Sequence, residues 1–375
     1  MKTKHFLILT LIASIILSLS SCKKDNLDEN KNIVPKRFSI DLPSSISGDD
    51  TKAISQDSLN GNHIYQHLRT FIHVGHSAAN LIKEIMEVIY KHNLNQPMSF
   101  SYTSDEDGRV KNVVITDNAE YNGKKYQYRM TVTDAQYEEN EDLGIGMQIF
   151  WNIEPIEGVA ILKSKNINTY SAPDWNEARI RITYSEVPQG QYERTMEVEL
   201  CDLPQSLSQD RFWMRNMKMK VMKTGQRLDI VGNSIHPYAW FLVEEPKGFC
   251  WAFVASVDEQ QNIAVAEVGL PSDSLNSNDR NQILVQNSLK NTLQNQFRHW
   301  FMHHWGIEPD SNSLSNYLRT CNAPGFFNSN GFVRGGQAPN GNYNTLENQI
   351  LNLNPYNPNE IRQLNFNFNF NNSKN

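Results

Sequence analysis

The chain has 375 residues, of which 39% are hydrophobic and 10% aromatic, and a formal net charge of −6. That apolar share supports a real core and speaks against global disorder, while a mildly acidic chain without a basic patch speaks against nucleic-acid binding. Its four cysteines include no C-x-x-C pair, so neither a thiol oxidoreductase nor a cysteine-ligated zinc site is indicated.

In chain order, Lys2 and Lys4 precede an almost unbroken apolar run from Phe6 to Leu17, and small residues then lead into Cys22. This is the layout of a secretory signal, and the run is too short for a transmembrane span. Leu19-Ser20-Ser21-Cys22 resembles a bacterial lipobox. The resemblance implies cleavage before Cys22, a diacylglycerol on its sulfur and an acylated new amine. Each buried methylene contributes roughly 0.8 kcal/mol, so two or three chains on one residue hold a protein on a membrane essentially permanently. Loss of residues 1–21 leaves 354 of the 375, and the departure of Lys2 and Lys4 takes the charge from −6 to −8. Lys23, not Asp, follows Cys22, which by the same resemblance implies anchoring in the outer membrane. Lys23, Lys24, Asp25, Asp28 and Glu29 are similar to the surface-export signals of Bacteroidota lipoproteins. The periplasmic and surface faces both stay open.

Residues 22–60 read as a tether rich in Asp, Asn, Ser and Lys, in which Phe38-Ser39-Ile40-Asp41-Leu42 alternates as a docking strand would. Residues 62–92 read as a long helix with Asn62 as N-cap. Ile64, Leu68, Phe71, Gly75, Ala78, Ile82, Met86 and Ile89 share one face of it. From 98 to 270 the period changes to two, as in Tyr126-Tyr128-Met130-Val132 and Met196-Val198-Leu200. This predicts about ten half-buried antiparallel strands. Asp107-Gly108, Asn122-Gly123, Pro188-Gln189-Gly190, Thr224-Gly225 and Lys247-Gly248 supply the turns. Residues 276–304 return to a helical period, with Leu289, Leu293, Phe297, Trp300, Phe301 and His304 on one face. Residues 306–360 are loop-rich, with a short helix expected near Leu346–Leu351. The tail, Leu364-Asn365-Phe366-Asn367-Phe368-Asn369-Phe370, reads either as a closing edge strand or as a frayed terminus.

The expected fold is α+β: a long amphipathic helix packed on a curved, half-barrel-like antiparallel meander, followed by a helical and loop-rich C-terminal region. The expected division is a signal over 1–21, anchor and tether over 22–60, a helix-and-sheet domain over 61–275, and a C-terminal region over 276–375 packed on it. This order is similar, over 62–270, to LolA/LolB-like half-barrel lipoproteins, in which a helix plugs a curved sheet that receives acyl chains. The start Val34-Pro35-Lys36-Arg37-Phe38-Ser39-Ile40-Asp41 looks like that of a Bacteroidota outer-membrane lipoprotein family to which no activity attaches.

No catalytic motif survives inspection. Gly75-His76-Ser77-Ala78-Ala79 is similar to a nucleophile elbow, yet it lacks the last glycine and sits in a helical period rather than after a strand. His299 and His303 lie one helical turn apart and are candidate metal ligands, without the glutamate a zincin needs, and His304 falls on the apolar face. Asp105-Glu106-Asp107-Gly108 lacks the remaining ligands of a calcium loop. No cofactor is expected. Met130, Met147, Met196, Met217 and Met219, with Tyr126 and Tyr128, are candidates to line a lipid cavity, or else an ordinary core. Cys201, Cys250 and Cys321 allow one disulfide, with Cys201–Cys250 the favoured pair, or none. Asp57-Ser58-Leu59 and Asp273-Ser274-Leu275 resemble Bacteroidota O-glycosylation acceptors at Ser58 and Ser274.

Three readings follow. The first is a non-enzymatic, membrane-anchored protein that binds a hydrophobic small molecule or lipid in a Met- and Tyr-lined cavity. The second is a non-catalytic interaction or structural subunit of an outer-membrane assembly, with a filled core and an exposed aromatic patch around Trp300, Trp305, Phe326 and Phe327. The third is a hydrolase using the region His299–Asp310.

Overall fold

The computed structural model describes residues 32–48, 61–91, 94, 96–105, 107–167, 177–204, 213–238 and 248–370. Cys22 and Ser58, with the signal and most of the tether, lie outside the described residues. The fold is α+β and dominated by antiparallel strands. The chain forms two compact units, one from residues 1–40, 77–204 and 365–375, the other from 41–76 and 205–364. The division expected near 275 is therefore not where the units separate.

Helix α1 (Gly61–Lys91) begins in the second unit and continues into the first. All eight residues of the expected apolar face are buried. The helix starts one residue before Asn62, and the Gly61 N–H donates to Thr320 Oγ1 at 3.1 Å. Gly75-His76-Ser77 lies in the middle of this helix. Among the described residues, no helix is long and apolar enough to cross a membrane.

The first unit carries β1 (Met98–Thr103), β2 (Val110–Tyr121), β3 (Lys124–Asp134), β4 (Ile145–Ile153), β5 (Ile156–Lys163), β6 (Arg179–Ser185) and β7 (Arg194–Cys201). Each is antiparallel to the strand before it. At the β2–β3 turn Asn122 and Gly123 both take positive φ, 49° and 76°, which a two-residue hairpin loop requires. Register sets Met130 beside Ile149, Ile149 beside Ala160, and Ala160 beside Ile182, an apolar inner face. The alternation at 38–42 marks a docked segment as expected, though without a ladder. Phe38 packs on Tyr184 with ring centres 5.8 Å apart, the Ile40 N–H points at Met196 Sδ, and the Ile33 carbonyl accepts from Trp151 Nε1 at 2.6 Å. Gly158 is required beneath it, since a Cβ there would lie 2.7 Å from the Phe38 ring.

The second unit carries β8 (Asn216–Thr224), β9 (Arg227–His236), β10 (Phe249–Asp258), β11 (Ile263–Gly269), β12 (Gly325–Asn328) and β13 (Gly331–Gly335), again antiparallel in chain order. Residues 41–76 cover one face: Phe71 packs against His236 and, edge-on, Trp251, while Tyr65 stacks on Phe332 and meets Phe327 edge-on. On the other face Val231, Ala252, Val254 and Val265 pack against Ile283, Leu284, Tyr343, Leu346, Ile350 and Leu353. Burial on both faces explains why β10 and β11 are nearly continuous in apolar and small residues. The C-terminal stretch that reads as loop thus contributes two strands and α5 (Asn344–Ile350), besides α3 (Leu289–Trp305), α4 (Ser311–Leu318) and α6 (Pro358–Arg362); α2 (Ser164–Ile167) belongs to the first unit.

Candidate functional site

The candidate cavity residues are dispersed through two cores. Met130, Met147 and Met196 are buried in the first unit, Met217 and Met219 in the second. The Met219 and Met217 methyls fill the notch left by Gly75, where a Cβ would lie 2.9 and 3.2 Å from them. Tyr128 stacks on Trp151 at 5.8 Å, and Tyr126 packs on Phe150 at 5.9 Å. Of the seven, Tyr126 alone lines the open depression described below.

The histidine candidates do not converge either. His299, His303 and His304 are exposed, and no group of three metal-ligating side chains forms among the described residues. His304 leaves the apolar face expected for it: its ring lies 4.7 Å from that of Trp300 and its Nδ1 is 2.9 Å from the Trp300 carbonyl oxygen. Asp310 is committed to capping α4, accepting from the Asn312 and Ser313 N–H groups and the Ser313 hydroxyl. Those bonds hold its carboxyl below the usual range. Ser274 sits exposed in a turn, 2.8 Å from the Ser272 hydroxyl.

Of the two cysteine alternatives, the favoured Cys201–Cys250 bridge is not formed: Cys201, Cys250 and Cys321 are each free and buried. Burial pushes the Cys201 and Cys321 thiols up to about 11 and Cys250 well above its ordinary value. Burial that raises a thiol's pKa keeps the thiolate fraction low.

The end of α3 presents apolar side chains to solvent. Met302, Trp305 and Ile307 are 41%, 66% and 61% exposed. The helix carries no acidic residue, while Lys290, Arg298, His299, His303 and His304 punctuate it. Behind the exposed end, Phe297 stacks on Tyr317 at 4.5 Å, which roots the helix in the unit. Gly306 closes it with a left-handed φ of 68° and turns the chain so that Ile307 follows Trp305 into solvent. The aromatic patch expected from sequence is corrected in one part: Phe326 and Phe327 are fully buried in β12.

A second surface was invisible in the sequence. Register places Gln148 beside Ile161, Ile161 beside Arg181, and Arg181 beside Glu199 on the outer face of the first sheet. Across this face lies the tail. Phe366 and Phe368 are buried while Asn365 and Asn367 face out, so the alternation expected of a strand is present, but no ladder forms. The Gln148 amide donates to the Asn369 carbonyl at 2.9 Å and accepts from the Asn369 N–H at 2.8 Å. Arg179 donates to the Phe366 carbonyl at 2.7 Å, and Tyr121 to the Asn367 carbonyl at 3.4 Å. The Arg181 guanidinium, paired with Glu199, stands 4.7 Å from the Phe366 ring centre. Beside the tail, Tyr121, Asn122, Lys124, Tyr126, Val159, Arg181 and Thr183 line an open depression of about 290 Å³.

A buried ion cluster also escaped the sequence reading. Lys111 is 1% exposed and donates to Asp107 at 3.0 Å, Asp134 at 2.8 Å and the Asn166 carbonyl at 3.1 Å. The Asp107-Gly108 turn is thus a turn whose aspartate folds inward. Asp107 at the β1–β2 turn was the signal in sequence, but nothing there shows which cation it meets. No family model, curated protein or solved structure matches the chain.

Proposed function

We propose that this chain is a lipid-anchored cell-envelope protein whose folded body serves as a non-catalytic interaction subunit, contacting its partner through the exposed end of α3. The lipobox-like Leu19-Ser20-Ser21-Cys22 supports the anchor, and the helix-before-meander order supports a half-barrel-like lipoprotein body. One observation carries the interaction reading: Met302, Trp305 and Ile307 project together into solvent. A tryptophan left two-thirds exposed beside two aliphatic neighbours is the composition of an interface centre. The hydrophobic-ligand reading loses its support, because the methionines meant to line the cavity fill packed cores. The hydrolase reading loses its own, because His299, His303 and Asp310 do not converge.

The test is a photo-crosslinking residue at position 305 in the native envelope. A discrete protein adduct, absent from a control at exposed Lys125 and lost with Ile307→Asp, is the expected result. Absence of any adduct from positions 302, 305 and 307 would overturn the proposal.

A further inference from the structure

The outer face of the first sheet holds the tail in a way that differs from the contacts among β1 to β7. β1 to β7 are joined by main-chain ladders, and the tail by none. Its main chain is instead gripped by side chains that belong to the sheet. Gln148 makes a two-point bond to Asn369, Arg179 takes the Phe366 carbonyl and Tyr121 the Asn367 carbonyl. Bonds to main-chain atoms accept any residue at those positions. Selectivity comes from the two inward rings, Phe366 and Phe368, from Arg181 poised over the first of them, and from the Asn367 and Asn369 side chains, which bond Arg179 and the Glu120 carbonyl. Main-chain clamps with pockets for alternate side chains are the working parts of extended-peptide recognition. Because no ladder is broken when the tail leaves, its release opens side-chain contacts rather than a main-chain ladder, among them the bonds of the Asn367 side chain to Arg179 and of the Asn369 side chain to the Glu120 carbonyl. The neighbouring depression shares Tyr121 and Arg181 with the tail, so the grip continues past the residues it now holds.

We propose that this face is a peptide-recognition groove for an extended partner segment bearing aromatic side chains at alternate positions, and that the C-terminal tail occupies it in cis. A tethered occupant acts at an effective concentration in the millimolar range. The groove therefore opens only to a partner segment that outcompetes the tail. This inference concerns a surface separate from α3, so it stands or falls independently of Trp305.

The probe is a fluorescein-labelled peptide with the sequence of residues 364–370, added to the full chain and to the full chain carrying Phe366→Ala and Phe368→Ala. Fluorescence anisotropy is expected to show binding to the double variant and at least about tenfold weaker binding to the wild type. A peptide with both phenylalanines replaced by alanine is expected not to bind. Adding Gln148→Leu to the double variant is expected to weaken binding on the order of tenfold, through loss of two main-chain bonds. A double variant with wild-type circular dichroism and no binding at millimolar peptide would overturn the proposal. Should that variant fail to fold, hydrogen exchange on the wild-type chain decides. Exchange of the Asn369 amide at least about a hundredfold faster than that of Ile149 in β4 supports a detachable tail. Exchange of both at one rate makes the tail part of the core and overturns it.

Discussion

Lys111 is a cation fully inside the first unit, and it is tolerated only because two carboxylates and a carbonyl saturate its three donors. Replacing it with methionine leaves Asp107 and Asp134 buried with one cation fewer. Removal of one partner from a buried ion pair costs about 3–5 kcal/mol. Lys111→Met is therefore expected to lower unfolding free energy by about that amount in a urea titration, with little change in slope. His67 behaves oppositely. Burial, with a smaller push from His63, holds its pKa down at about 3. The unfolded chain binds a proton near pH 6.5 that the folded chain refuses, so stability is full above that pH and falls as pH drops toward 3. The slope is about 1.4 kcal/mol per pH unit across that window. His67→Phe is expected to flatten it, as read by denaturant midpoints between pH 7 and pH 4.

At the scale of elements, two glycines make opposite demands on the same helix-on-sheet contact. Gly325 in β12 faces Tyr65 of α1, and a Cβ there would sit 2.5 Å from a fully buried ring. The ring has no direction in which to retreat, so Gly325→Ala is expected to cost about 1–3 kcal/mol. The nearest atoms to a Cβ at Gly75 in α1 belong to the flexible ends of Met217 and Met219. Those rotate away at small cost, while the helix gains up to about 1 kcal/mol from alanine. Gly75→Ala is therefore expected to leave the thermal midpoint unchanged or slightly raised. The helix itself was legible from its 3.6-residue period. So were the β2–β3 and β8–β9 hairpins, because Asn122-Gly123 and the glycine of Gly225-Gln226 supply the positive φ that a two-residue turn needs. β12 and β13 were not legible. Gly-Phe-Phe-Asn is too short for a period to show, and its pairing with Ala264–Ala266 spans some sixty residues of sequence.

The molecule as a whole is threaded discontinuously, with the second unit assembled from residues 41–76 and 205–364. A chain ending at residue 275 deprives β11 of β12 and strips Ile283, Leu284, Tyr343 and Leu346 from the outer face of its sheet. Such a truncation is expected to lose near-ultraviolet circular dichroism and to bind a hydrophobic dye, where a domain boundary at 275 would leave it folded. By itself the sequence determined the lipobox-like start, the α+β class, the apolar face of α1 and the strand period, because each is a local pattern of side chains along the chain. Only the tertiary structure decided that the methionines fill cores, that each of the three cysteines is buried, that Trp305 and Ile307 project while Phe326 and Phe327 are enclosed, and that the tail lies beneath Arg181. Each of these depends on which distant residues meet, and periodicity records which face a residue occupies without recording what covers that face.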